Sequence, residues 1–393
     1  MNPVDRYSIR RGVSVRVQRA GMAALLVALT NLGGCAWLGW GGSDKKPQPL
    51  PVISGVNAAS VTWSANVGKS GGYLFTPGFS DRVIYATARD GSIYALAQDG
   101  GRVVTRLEAK AKVSGGVGVS EDIVVVASGK GDIIALDAAG RSLWKSSVSG
   151  EVLAPPTVAT GNVIVRTSDG RIIDLNRIDG KRKWVFQRAA PALTLRTNAA
   201  VLVNRGVIYA GYPGGKVIAI ELESGKPIWE ATISLARGAT ELERIADVAG
   251  LPVLDDTRIC AAVYQGRTGC VETLNGNVLW SREISSADGV AIDAKYLYVA
   301  DVAGNVFALD KSNGATVWKL EKLQLRDPGT PIVINGKILV GDKDGLIHVL
   351  STENGDMIGR VTTDGSRIVT LWPNGDVAIA QTDKGGVFAI AVK

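Results

Sequence analysis

One histidine, His348, and three cysteines, Cys35, Cys260 and Cys270, hold all the imidazole and thiol chemistry of this 393-residue chain. His348 sits in the run LIHVL (residues 346–350), where equivalent phrases elsewhere carry Tyr94, Ile134, Phe307 or Phe388. That is a strand position filled by bulky side chains, so a packing or half-exposed histidine is expected there. A single histidine builds neither a His-based metal site nor a Ser-His-Asp triad. The paired glycines lack the strand–GxGxxG–helix context, or the Gly-Lys-Ser/Thr ending, of a phosphate loop. No catalytic residue, metal ligand or cofactor is expected.

The elements that carry these residues repeat. The phrase reads Gly, two residues rich in Val or Ile, Ala or a substitute, then Leu or Ile, followed by a Gly turn and usually Trp. Residues 131–144 (GDIIALDAAGRSLW), 215–229 (GKVIAIELESGKPIW) and 304–318 (GNVFALDKSNGATVW) are the clearest copies. Weaker ones start at Gly91, Gly170, Gly266 and Gly345, and the last, from Gly385, stops at the C-terminus. Successive starts lie 40, 39, 45, 51, 38, 41 and 40 residues apart. Strand-like repeats near this period indicate an all-β, eight-bladed β-propeller with four antiparallel strands per blade.

A β-branched run precedes each phrase across a short Gly turn, as in VIYA (83–86) or LYVA (297–300). Run and phrase read as a hairpin, expected to form the two outer strands of a blade. The tryptophan is expected to open the inner strand of the next blade and fill the gap between blades. Five copies have it, at Trp144, Trp184, Trp229, Trp280 and Trp318; Val104 and Ile358 lie at or beside its place in two others. The eighth copy ends too soon. VTWSANV (61–67) supplies the missing piece from the other end of the chain, so an N-terminal strand is expected to close the ring. One propeller over residues 57–393 is predicted, although length alone would allow two or three domains.

Residues 1–19 carry five arginines and one acid, and residues 20–32 (AGMAALLVALTNL) are apolar. Small residues then precede Cys35. This describes a secretory signal over 1–34, its apolar part too short to span a bilayer. Leu32-Gly33-Gly34-Cys35 resembles the bacterial lipobox, which implies Cys35 as the lipidated residue, followed by a Gly/Pro-rich tether over 35–56. By the same resemblance, Ala36 stands where an inner-membrane retention signal of enteric lipoproteins would place Asp, which implies the outer membrane. Removing residues 1–34 takes the net charge from +7 to +3. Little basic character remains, and nucleic acid is not an expected partner.

Cys260 and Cys270 lie on the two runs of one hairpin. Aligned with the copy at Gly304 they match Tyr298 and Ala308, which should face each other across the hairpin. Opposed strand residues come close enough for a disulfide, and secretion supplies an oxidising compartment. The alternative is two reduced core thiols on opposite faces after a register slip.

The pattern Ala-x-Asp-x-x-x-Gly-x-x-x-Trp, best kept at residues 308–318, resembles the repeat of quinoprotein dehydrogenases. That resemblance leaves a ligand- or quinone-binding propeller as an alternative, although the adjacent cysteine pair of those alcohol dehydrogenases is missing. A resemblance covering nearly the whole chain is to the BamB family, the propeller lipoproteins of the β-barrel assembly (BAM) machinery. PALTLRTN (191–198) and ELERIADVAG (241–250) carry it most sharply. It implies a non-enzymatic scaffold, lipid-anchored at the periplasmic face of the outer membrane, that assists folding and insertion of outer-membrane barrels. It implies docking onto the POTRA domains of BamA through Leu193, Leu195, Arg196 and Asp247. Unfolded barrel proteins are possible further clients, met by β-augmentation, or the ring orients the POTRA domains instead. A second family acid falls at Ala249, a departure that weakens the second stretch.

The residues themselves point to the same loops. The two longest repeat intervals contain them, both loops follow a blade tryptophan, and both should leave the same face on neighbouring blades. Arginine beside exposed apolar residues suits an interface anchor. The alternative is that both leucines cover the ring's own core.

Overall fold

The computed structural model describes residues 46–53, 57–120, 122–189, 191 and 193–393. Cys35, the expected signal over 1–34 and most of the expected tether lie outside these residues. The described chain forms eight four-stranded sheets. In the second blade the order is β6 (Gly118–Ser120), β7 (Ile123–Ala127), β8 (Asp132–Leu136) and β9 (Ser142–Ser147). Every residue of β7 is buried, and β8 nearly so. Both faces of these middle strands are covered by neighbouring blades, so they read as continuous apolar runs rather than alternating ones. The outermost β9 leaves most of its side chains in water.

The first strands lie against each other around the axis: β2 (Gly78–Phe79) beside β6, β6 beside β10 (Thr157–Ala159), and β10 beside β14 (Leu202–Asn204). Run and phrase are therefore the second and third strands, not the outer two. The tryptophan stands on the fourth, outermost strand of its own blade, not on the inner strand of the next. The hairpin pattern identifies two paired strands but does not say where in the sheet they sit. Register explains the phrase instead. In several blades the alanine of the third strand faces the tryptophan directly, as in Ala135↔Trp144, Ala219↔Trp229 and Ala308↔Trp318.

The tryptophan still bridges blades, but from the rim. Its indole N–H donates to a backbone carbonyl in the next blade's turn: Trp144 to Arg177 at 2.8 Å, and Trp184 to Leu222, Trp229 to Thr273, Trp280 to Lys311 and Trp318 to Thr352, each at 2.9 Å. The ring's flat face covers a turn glycine. At Gly276 (φ +76°) a Cβ would lie 2.7 Å from the Trp229 ring, so the turn needs glycine for both reasons. Thr105 and Gly359 occupy the tryptophan position in the two blades without one.

The ring closes as the repeat count requires. β1 (Ala59–Asn66) pairs with β32 (Gly386–Val392), Trp63 faces Ala389, and its indole donates to Gln98 of the first blade at 2.9 Å. Ile379, Val387 and Ala389 of the closing blade pack against Ile84, Ala86 and Leu96 of the first. The seam is thus a core of the same kind as every other blade junction.

Cys260 on β19 (Arg258–Ala262) is directly opposite Cys270 on β20 (Thr268–Glu272); both are buried and their sulfurs are joined as a disulfide. Non-reduced peptide mapping of the protein isolated without reductant should recover the cross-linked pair, and two freely alkylated thiols would refute it. The enclosed loop is short, so reduction should cost about 2–3 kcal/mol. His348 on β28 (Leu346–Ser351) is fully buried, with Nε2 3.0 Å from Oδ2 of Asp342. Asp342 Oδ1 accepts the N–H groups of Asp344 and Leu346. The pair closes a turn inside the blade.

Candidate docking surface

The two long loops connect a fourth strand to the first strand of the next blade. One joins β13 (Arg182–Phe186) to β14, and the other joins β17 (Pro227–Thr232) to β18 (Val253–Leu254). Equivalent connections of adjacent blades leave the same face, and the loops touch. Asp247 Oδ2 accepts the Leu195 N–H at 2.6 Å. Asp247 also forms a backbone bridge with Pro213, and its carbonyl accepts the Tyr264 N–H at 2.9 Å.

Asp247 is buried, at 3% exposure, so it does not present its carboxylate to a partner. Burial pushes that carboxyl up, opposed by the amides of Leu195 and Gly214 and by Arg166. Arg166 is buried too; burial lowers its pKa, while Tyr212 and Asp247 raise it. Its Nη1 donates to the Ala199 carbonyl at 3.1 Å and its guanidinium lies over the Tyr212 ring. Burial drives the Tyr212 hydroxyl up to about 12. These three groups form a base that holds the first loop from below. Asp247 is accordingly a positioning residue.

Above this base the loop offers Leu193, 43% exposed, the half-buried Leu195 and the exposed Arg196. Arg196 forks onto Glu151 of an earlier connection, with Nη2 2.7 Å from Oε1 and Nε 3.1 Å from Oε2. Its guanidinium also lies 5.2 Å from the Tyr73 ring centroid. The arginine is thus held in place before any partner arrives.

Leu235 and Leu242, 71% and 66% exposed, extend the apolar surface along the second loop. Neither is among the residues the family resemblance implies, although each is an apolar residue in a polar loop, the same signal as Leu193. A reciprocal cap shapes the turn bearing Leu242: Glu243 Oε2 accepts the N–H groups of Ala239 and Thr240, and the Glu243 N–H donates to Thr240 Oγ1. Ala249, at the place of the second family acid, is buried at 4% exposure, and its methyl offers a partner no charge.

Among the described residues no group of three or more His, Cys, Asp or Glu side chains is placed to hold a metal ion. A family model described as outer membrane protein assembly factor BamB matches residues 89–320. The chain belongs to the BamB family. The outer membrane protein assembly factor BamB of Nitrosomonas eutropha is 40% identical over 335 residues, which cover 84% of this chain and 81% of that protein. The crystal structure of BamB from Moraxella catarrhalis is similar with a TM-score of 0.79 at 25% identity, covering 85% of this chain and 99% of that one. The quinohemoprotein alcohol dehydrogenase of Comamonas testosteroni shares the fold alone, with a TM-score of 0.71 at 13% identity over 85% of this chain and 76% of its own. The BamB relationship spans most of the ring, including both long loops.

Proposed function

We propose that this chain is a non-enzymatic scaffold of the BAM complex that binds the POTRA domains of BamA and assists folding and insertion of outer-membrane barrels. Membership of the BamB family supports the role. The observation that carries the site is the clasp between Asp247 and the Leu195 amide, which joins the two longest loops into one surface. Leu193, Leu195 and Arg196 make the contact, and Asp247 sets the loop that presents them. A rigid ring with pre-ordered loops loses little freedom on docking, which favours affinity. Affinity purification of the tagged protein from detergent-solubilised envelopes tests the proposal. Recovery of a POTRA-bearing barrel is expected, and its absence under conditions that keep the ring folded would overturn the role.

We also place the protein at the periplasmic face of the outer membrane. In this reading residues 1–34 are removed as a signal and Cys35 carries lipid. Cys35→Ser should abolish lipid labelling and move the protein from the membrane fraction to the soluble periplasm. Labelling that persists would show the anchor to be elsewhere.

A further inference from the structure

Part of the stretch read as tether lies on the ring. Residues 47–53 run along the outside of the sixth and seventh blades, between β25 (Thr316–Leu320) and β29 (Met357–Thr362). Arg326 Nη2 donates to the Gln48 carbonyl at 3.2 Å, and Arg360 Nη2 donates to the Pro51 carbonyl at 3.0 Å. Leu50 is half-buried against the cluster that contains Tyr298, Trp318 and Leu323. Two guanidinium groups on backbone carbonyls and one apolar plug make a strap, fixed at the rim on the face that carries the docking loops.

Arg326 belongs to the loop between β25 and β26 (Ile332–Ile334). Beside it Leu325 is 45% exposed in the left-handed region (φ +63°), and Asp327 is left-handed as well. A bulky side chain held there is strained, and such strain persists only where the surroundings impose it. Lys322 and Lys343 stand exposed on the same rim, with the exposed acids Glu321, Asp327 and Asp344 beside them. An apolar tip on a rim of mixed charge, next to an anchored chain, has the chemistry of a surface that rests among lipid headgroups.

Chain length decides what the strap does. Pro47 follows Cys35 by 12 residues, which reach about 40 Å at most. Without the strap the ring would begin at Asn57, 22 residues on, and the leash could reach roughly 75 Å. Two opposed blades of four strands, about 4.8 Å apart, plus the channel span about 40 Å. The longer leash lets any rim meet the membrane; the shorter one keeps the strapped rim nearest.

We infer that the strap at residues 47–53 orients the ring, setting the rim of the sixth and seventh blades, with Leu325, against the lipid surface. The inference rests on the lipid anchor at Cys35. The loop bearing Leu193 lies three blade junctions away, so this orientation keeps the docking loops clear of the bilayer.

The test uses full-length lipidated protein in phosphatidylethanolamine–phosphatidylglycerol vesicles that contain a headgroup-quencher lipid. A fluorophore is placed by Lys343→Cys or by Lys130→Cys. Both residues are exposed in equivalent second-to-third-strand turns on one face, three blades apart. Quenching at Lys343→Cys should be several-fold stronger than at Lys130→Cys. Releasing the strap with Leu50→Asp, or with Arg360→Ala should the first variant melt early, should remove the difference while vesicle flotation is unchanged. Equal quenching of both positions in floating protein with an intact strap overturns the orientation alone. Protein that fails to float overturns the anchor, and the orientation with it.

Discussion

Replacing Leu195 and Arg196 together by alanine should sharply weaken binding to BamA while leaving a folded ring. Anchors of this kind cost about 2 kcal/mol or more each on truncation, roughly thirty-fold in affinity. The loss in stability should be smaller. The Arg196–Glu151 pair is half exposed, and such pairs contribute less than about 1 kcal/mol. Leu195 is only half-buried, so its truncation leaves no closed cavity. Calorimetric titration with BamA POTRA domains, alongside thermal melts, separates the two quantities. If a stably folded double variant binds as tightly as the parent, the contact lies elsewhere. If the leucine instead covers the ring's core, melting temperature and binding should fall together.

Asp247→Ala should show a different signature. Its buried carboxylate holds the Leu195 amide, so the variant takes away that bond and loosens the loop, at a cost of about 1 kcal/mol or more. Both stability and affinity should drop. An unchanged melting temperature would remove the positioning role.

The second large effect concerns Asp174 on β12 (Ile172–Asn176), the third strand of its blade. Asp174 faces Trp184 at the position where most other blades place alanine. It is fully buried, and neither carboxylate oxygen has a hydrogen-bond partner. The Lys183 ammonium is 4.0 Å away and is itself bonded to Asn162. Burial raises the Asp174 pKa to about 7, with Lys183 opposing and Glu223 adding to the rise. The folded-state value is above the unfolded one. The folded protein therefore binds the extra proton, and stability is lost as pH rises from about 4 towards 7. The full effect is about 3–4 kcal/mol at most. Wild-type protein should melt at a higher temperature at pH 5 than at pH 7.5, and Asp174→Asn should flatten this difference. An identical pH slope in Asp174→Asn would assign the dependence to other groups.

The period of the phrase determined the blade number, because each blade must repeat the same buried middle strands. The incomplete eighth phrase and VTWSANV near the N-terminus determined the closure, because an unpaired edge would otherwise remain. Loop lengths marked the face that carries the two long, touching loops, since extra residues between rigid blades can only project from it. The opposed cysteines followed from aligning one hairpin with another. All of these depend on local pattern or on repetition, which a linear chain displays.

Position across the sheet was not displayed. Two paired strands read alike whether they lie at the axis or at the rim, so only the structure moved the tryptophans to the outermost strands and showed their indoles gripping the next blade. Burial was hidden for the same reason. Asp247 resembles a loop acid open to solvent, yet the neighbouring loop and Arg166 enclose it. Asp174 resembles an ordinary strand acid until the adjacent blade removes its water. Residues 47–53 have the composition of a tether, and only Arg326 and Arg360, some 280 to 310 residues later in the chain, turn them into a strap. Sequence by itself thus determined the repeat, the ring and the loops, which follow from period and length. Tertiary structure decided which side chains those loops offer, which they bury and where the chain leaves the ring, because desolvation and long-range hydrogen bonds exist only once the blades meet.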